Sequence, residues 1–443
     1  MKKKILIQLI AVFCTCFSLH AQFNWGSLTT QSPTTINAHS GTTVIDGKKF
    51  TNLNSGVQNG TCIRIGPTPG TGTIAIKNCY FGASIAEAID VEKFTGTLVI
   101  ENCLFANNKA AIYALKSSGI KIQNCHFINP HGARDHRGQA VQFDSAYGSG
   151  NFISNNKGES FRGEGYTEDW VSMYKSKGVS CDPILIDSNM FKGGGPSTSG
   201  GAITIGDNGG SYILVRENKC LNVGNHIYGC AGGSNIIMIN NQGYNEELPW
   251  ATVGLYAYGT CDNVMIINNN VHAIHPIYGN NPYHLPTPPD GDACACSIYT
   301  GNTSSVEIED MEFPTQLIDY VTEDVLWQIR DESVQFRVET VVEAGGQEWP
   351  ASLHRPTSNA GTDQSISVSS ASLSGSGSTS SNGYNYKWVQ VSGPNSASIS
   401  ASTSVGTNAT GLINGTYVFR LVVTDNDGAA DADWVTVTVS LIV

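Results

Sequence analysis

Two stretches hold the densest run of chemically capable side chains in this 443-residue chain: HGARDHRGQAVQFD at 131–144 and GYTEDWVSMYKS at 165–176. The first supplies Arg137, Gln139, Gln142 and Asp144, and the second supplies Glu168, Asp169 and Lys175. His226, Tyr228 and Tyr256 follow downstream, with Tyr113 upstream. Cations next to carboxylates and phenols are what the breakdown of an acidic sugar chain requires. Elimination across a uronate needs its carboxylate neutralised and a base for the C5 proton. Arg137, Asp169, Lys175 and His226 are the candidates for those catalytic tasks, and Asp144 and Glu168 are the oxygen donors that a Ca²⁺ ion would take. Hydrolysis would instead need two carboxylates, about 5 Å apart for retention and farther for inversion. Glu168 or Asp169 with Asp144 is the available pair. Asp144 lies about five residues farther along its strand, roughly 15 Å at strand rise, so a tight pair is not expected.

The elements that must position these residues repeat along the chain. IKNCYF (76–81), IENCLF (100–105) and IQNCHF (122–127) are near copies. Further copies run to VEIEDMEF at 306–313, and their turn residues fall at 78, 102, 124, 155, 188, 217, 241, 269 and 310. A second alternating strand precedes each copy, from CIRIGP at 62–67 to CSIYTGN at 296–302. Alternation with period two indicates strands. Short strands recurring every few dozen residues indicate a solenoid, whose coils bury their apolar faces only by stacking.

Aligning the second strand set gives a candidate surface. With Ile89, Ile112, Val141, Val171, Ile203 and Ile227 as one inward position, the next residues face outward: Asp90, Tyr113, Gln142, Ser172, Thr204 and Tyr228. Such a wall of hydrogen-bonding and aromatic groups suits a sugar groove. Gln139, Gln142, Tyr113, Tyr228 and Tyr256 are its candidate substrate-binding residues. His131, His136, His272, His275 and His284 lie in loops and read as surface residues.

The strand pattern resembles the right-handed parallel β-helix of the pectate-lyase-like superfamily over roughly residues 40–315. The resemblance implies an all-β fold of about nine to ten coils and an exported polysaccharide-active protein. The W-x-D-H and R-x-P-x-x-R motifs of pectate lyases are absent, as are the N-T-D, D-D and G-H-G motifs of polygalacturonases. No catalytic residue therefore carries over from either family. A lyase is the leading expectation. A glycoside hydrolase or a non-catalytic glycan-binding adhesin is the alternative.

Around this solenoid, residues 1–21 read as a signal peptide, with Lys2 to Lys4 before an apolar run from Ile5 to Leu19 and a small-residue site at Ala21. Residues 22–315 form the solenoid domain, and 316–355 a cap over its open end plus a linker. Residues 356–443 form a β-sandwich that resembles the PKD-like immunoglobulin-type modules of secreted bacterial proteins, without their usual W-x-F-G-D-G segment. Trp388 and Tyr417 would sit in its core, and Asp425 and Asp427 would make a turn. A net charge of −12 without basic runs excludes nucleic acid and anionic membrane surfaces as partners. No stretch after residue 21 is long and apolar enough to span a membrane. A monomer acting on a polysaccharide is expected, with no cofactor beyond Ca²⁺. The ten cysteines after Ala21 permit disulfides, although Cys79, Cys103 and Cys125 stand in one register that directs their Cβ atoms poorly for pairing.

Overall fold

The computed structural model describes residues 27–50, 60–132, 138–285, 298–307, 311, 322–323, 325–330 and 355–441, with the backbone only at His284. Up to residue 300 the strands wind into three stacked sheets of 11, 10 and 10 strands. Within each sheet the neighbours are every third strand in the chain, and nearly all pair in parallel. This is a parallel β-helix. Strands such as Thr73–Lys77 and Thr97–Glu101 alternate buried and half-buried residues, so each coil turns Ile or Val inward and polar residues out.

Two stacks hold the coils in register. Phe50, Phe81, Phe105 and Phe127 stack face to face, with successive centroids 4.9, 4.7 and 5.2 Å apart. In the next coil Gly158 occupies the Phe127 register. A Cβ there would collide with the Trp170 ring, so the indole fills the vacated place and stacks on Phe191 at 5.0 Å. At the turns, Asn78, Asn102 and Asn124 adopt φ of 51°, 52° and 52°, a left-handed conformation that Asn tolerates better than most residues. The buried residue after each turn is Cys79, Cys103 and Cys125, then Asn156, Asn189, Asn218, Asn241 and Asn269. Each of these asparagines aligns with its neighbours: Asn189 Nδ2 donates to Asn218 Oδ1 at 2.9 Å, and that same oxygen accepts from the Asn189 backbone N–H at 3.0 Å. Backbone groups at the corner thus find partners without water.

The turn phase differs from the sequence expectation in the last coils. Positive φ falls at Asn240 and Asn268, one residue before the expected 241 and 269. The final turn is at Gly301, whereas position 310 lies outside the described residues. Ile298–Thr300 pairs with Met265–Ile267, and Tyr283–His284 supplies the partner for Leu255 and Tyr256. The long insertion thus contains a strand of the face expected from CSIYTGN. All eight described cysteines are free, and Cys294 and Cys296 lie outside the described residues.

Residues 325–330 are helical. They lie on the side of the solenoid, where Leu326 and Ile329 cover the outward Tyr80, Leu104, Ala106 and Ile128. The expected end cap is therefore, in its described part, a flank helix. An apolar outward patch on one sheet face explains its position better than the open end does.

The C-terminal domain is a sandwich of a four-stranded and a three-stranded sheet. Trp388, Tyr417, Phe419 and Leu421 form its core. The Tyr417 hydroxyl accepts from Ile413 N–H at 2.9 Å and so pins a corner. Asp425 Oδ1 accepts from the N–H groups of Asp427 and Ala429, both at 2.9 Å, which makes the expected turn. The two domains meet at Glu164. Its carboxylate receives Arg330 at 2.7 Å and Arg355 at 3.3 Å, and Arg330 also donates to Ala430 O at 2.8 Å.

Candidate functional site

The outward column runs in register through Asp90, Tyr113, Gln142, Ser172 and Thr204. Beyond Thr204 it continues through Gly229, Tyr256 and His284. Tyr228 therefore does not belong to it. Ile203 pairs with Tyr228, one residue away from the expected Ile203–Ile227 match. A one-residue change of register moves a side chain to the opposite face. Tyr228 is fully buried, with its hydroxyl 2.9 Å from Asn218 O and 2.6 Å from Gln242 O. It is a core residue and offers nothing to a substrate.

A second column lies just before these strands, where Gln139, Asp169, Gly201, His226 and Val253 succeed one another. Trp170 anchors this corner. With its ring in the core and its Nε1 donating to Gly193 O at 2.8 Å, the preceding Glu168 and Asp169 have little freedom. Two glycines then open space on the outer face. A Cβ on Gly201 would lie 2.5 Å from the His226 Nε2, and a Cβ on Gly229 would lie 2.6 Å from the Tyr256 hydroxyl oxygen. The imidazole therefore lies over Gly201 and the phenol over Gly229. The two rings meet edge to face with centroids 4.8 Å apart.

Thr204 joins this pair to a carboxylate. Its hydroxyl donates to Asp169 Oδ1 at 2.6 Å and lies 2.9 Å from His226 Nε2. One hydroxyl has one proton, so with Thr204 donating to Asp169, His226 Nε2–H donates to Thr204. Asp169 Oδ1 also accepts from Gly201 N–H at 2.9 Å. Asp169 and His226 are 6% and 1% exposed. Burial, then the neighbouring Glu168 charge, raises the Asp169 carboxyl to about 7, against the opposing hydrogen bonds of Thr204, Gly201 and Gln139. Burial lowers His226 to about 3, so the imidazole is neutral at ordinary pH. Burial and the Asp169 charge push the half-buried Tyr256 phenol up, and it stays protonated. Glu168 is held by the hydroxyls of Ser197 at 2.8 Å and Ser199 at 2.6 Å.

The structure thus brings Gln139, Glu168, Asp169, His226 and Tyr256 to one corner. It does not bring Lys175 or Asp144 there. Lys175 is exposed, beyond the far end of Val171–Tyr174, with its Nζ over the Tyr174 ring at 4.9 Å. Asp144 accepts from Tyr113 at 2.8 Å and pairs across the sheet with Tyr174, a strand length away from Glu168. Asp144 and Glu168 therefore do not form a shared Ca²⁺ site. Among the described residues no group of three or more His, Cys, Asp or Glu side chains is arranged to hold a metal ion. Gln142 remains half-buried in the outward column beside Tyr113. Arg137 lies outside the described residues. Sequence reasoning read Thr204 as a wall residue only and passed over Gly201, Gly229, Ser197 and Ser199. The signal for the two glycines is a missing side chain in a column whose other members carry large polar ones.

A PKD domain family matches residues 360–439. Among solved structures, the chain is similar to the PKD domain from KIAA 1837 protein, with 32% identity over 19% of this chain and 86% of that one and a TM-score of 0.18. It is similar to the PKD domain (329-428) from human KIAA0319, with 23% identity over 23% and 94% of the two chains and a TM-score of 0.18. It is also similar to a nucleoside hydrolase-related hypothetical protein from Saccharophagus degradans that is associated with carbohydrate metabolism, with 19% identity over 28% of this chain and 34% of that one and a TM-score of 0.21. A comparison with curated proteins found no match.

Proposed function

For a chain whose residues 360–439 are a PKD domain behind a parallel β-helix, we propose an extracellular polysaccharide lyase that acts on an acidic glycan laid against the outward column. The observation that carries this reading is the Asp169–Thr204–His226–Tyr256 corner. Its carboxyl titrates at about 7 and its phenol stays protonated. A base is most useful when its pKa lies near the working pH. In this reading Asp169 is the acceptor for the C5 proton. Tyr256, the most accessible of the four, donates its proton to the glycosidic oxygen leaving C4. The C5–H and C4–O bonds break, a C4–C5 double bond forms, and no water is consumed. Thr204 and His226 position Asp169. Arg137 neutralises the uronate carboxylate.

The arrangement favours elimination over hydrolysis. Glu168, the second carboxylate, is occupied by two serine hydroxyls, whereas a glycosidase needs both carboxylates directed at the sugar. The test is an assay of the mature chain on a panel of acidic and neutral polysaccharides, following both unsaturated ends by ultraviolet absorbance and reducing ends. Unsaturated product is expected from at least one acidic glycan. Tyr256→Phe is expected to lower kcat by about 100-fold or more, as loss of a general acid does, with the melting temperature unchanged. Reducing ends without unsaturation would replace the lyase with a hydrolase. Binding without any product would make the protein a glycan-binding module.

A further inference from the structure

On the flank facing the PKD domain, a cavity of ≈ 300 Å³ is walled by both domains. Glu159, Arg162, Lys192, Glu246 and Trp250 come from the β-helix, and Asp427 comes from the PKD turn. These walls belong to the sheet of Lys157–Glu159 and Met190–Lys192, not to the sheet that carries Thr204 and Tyr256. Small-molecule sites favour domain interfaces, and this volume stands at the lower end of their range, enough for one small unit.

The lining defines the ligand's chemistry. Arg162 is paired with Glu246 at 2.5 Å, and Lys192 with Glu159 Oε1 at 3.1 Å. Both cations are thus neutralised, and Asp427 adds a further carboxylate, so an anion would meet net negative charge. Glu159 is 5% exposed, and its Oε2 has no hydrogen-bond partner among the described residues. A buried carboxylate oxygen without a donor is costly, and a ligand that brings O–H groups relieves that cost. Trp250 adds an apolar edge for carbon-bound hydrogens. The donors and acceptors of a carboxylate–guanidinium pair suit adjacent hydroxyls.

We propose that this interdomain cavity is a second binding site, which takes a neutral polyol of about one sugar ring. The polyol chemistry is read from the cavity, and its identification as a sugar rests on the proposed function. The test is titration of the full mature chain with methyl glucoside, methyl galactoside and methyl mannoside, with galacturonate as the anionic control, followed by ligand-observed NMR and calorimetry. At least one neutral glycoside is expected to bind saturably in the millimolar range, about 10-fold or more tighter than galacturonate. Glu159→Ala and Arg162→Ala are each expected to weaken it about 10-fold or more. Arg162, at the cavity's partly exposed edge, is the variant expected to keep the wild-type melting temperature. Tyr256→Phe is expected to leave this binding unchanged while removing turnover, so failure of the lyase reading and failure of this one are separable. Absence of neutral-glycoside binding, equal binding of galacturonate, or binding that survives Arg162→Ala overturns the proposal.

Discussion

Asp169 and His226 keep opposite protonation preferences within one corner, and this has a measurable consequence. Asp ionises near 3.9 in an unfolded chain, but Asp169 in the fold does so at about 7. Between those values the fold retains a proton that the unfolded chain has released. The Asp169 contribution therefore falls as pH rises from about 4 to about 7, by a total on the order of 4 kcal/mol. His226 acts in the other direction. Its folded value of about 3 lies below the ordinary histidine range, so its contribution is present above about pH 6.5 and is lost as pH falls. Asp169→Asn removes the first effect and keeps the shape. Denaturant unfolding at about pH 5 and about pH 8 should then show a variant that gains stability relative to wild type at the higher pH. Parallel pH profiles would mean that Asp169 is already ionised in the fold. The carboxylate and imidazole were legible as candidates because charged groups before strands are few in this chain. The phase of Tyr228 was not legible, because Ile227 and Tyr228 are adjacent apolar side chains that satisfy either register. Only packing, through the two carbonyls that receive the Tyr228 hydroxyl, selects one.

At the scale of the element, the same ambiguity separates what the repeat discloses from what it hides. Strands with strict alternation, such as Ile120–Gln123, fix their own inward face. Runs such as Asn240–Asn241 and Asn268–Asn269–Asn270 mark a turn without fixing its phase, because any of these asparagines tolerates positive φ. The ladder decides the matter. The residue after the positive-φ position turns inward and bonds the next coil, as Asn241 does to Asn269 through Oδ1 at 2.8 and 3.0 Å. This assigns different weights to neighbouring residues of one type. Asn218→Ala leaves the Asn189 N–H and the Ile186 carbonyl without their side-chain partner. It should cost about 1–3 kcal/mol. Asn240→Gly removes a half-exposed side chain whose main partner is Glu217 at 2.8 Å, and it suits a positive φ, so its effect should stay within about 0.5 kcal/mol. Urea unfolding of the two variants measures the difference. Equal losses would show that the ladder contributes no more than the turn.

For the molecule as a whole, the position of the PKD domain is the feature least accessible from sequence, since its anchors are distant in the chain. Glu164 and Arg330 are 166 residues apart, and Glu164 and Arg355 are 191. Neither lies in a repeat or a motif. The carboxylate is fully buried, with Arg330 and Arg355 at 2.7 and 3.3 Å and Asn129 Nδ2 on its other oxygen at 3.1 Å. The Arg330 guanidinium is sandwiched between Phe161 and Trp327, each 4.1 Å from it. Such a group is costly to break from one side. Removing the carboxylate leaves two confined cations facing each other, for about 3–5 kcal/mol. Because these cations belong to the flank helix and to the segment entering the sandwich, the loss falls on the docking of the domains and not on either core. Glu164→Ala should therefore split a single calorimetric transition into two, with the sandwich melting near its own temperature. Glu164→Gln, which keeps an acceptor but not the charge, should give a smaller separation. The same undocking would remove the Asp427 wall of the interdomain cavity, so neutral-glycoside binding should disappear together with the single transition. An unsplit transition in Glu164→Ala would show that the domains are held by other contacts and that the cavity does not depend on this clamp.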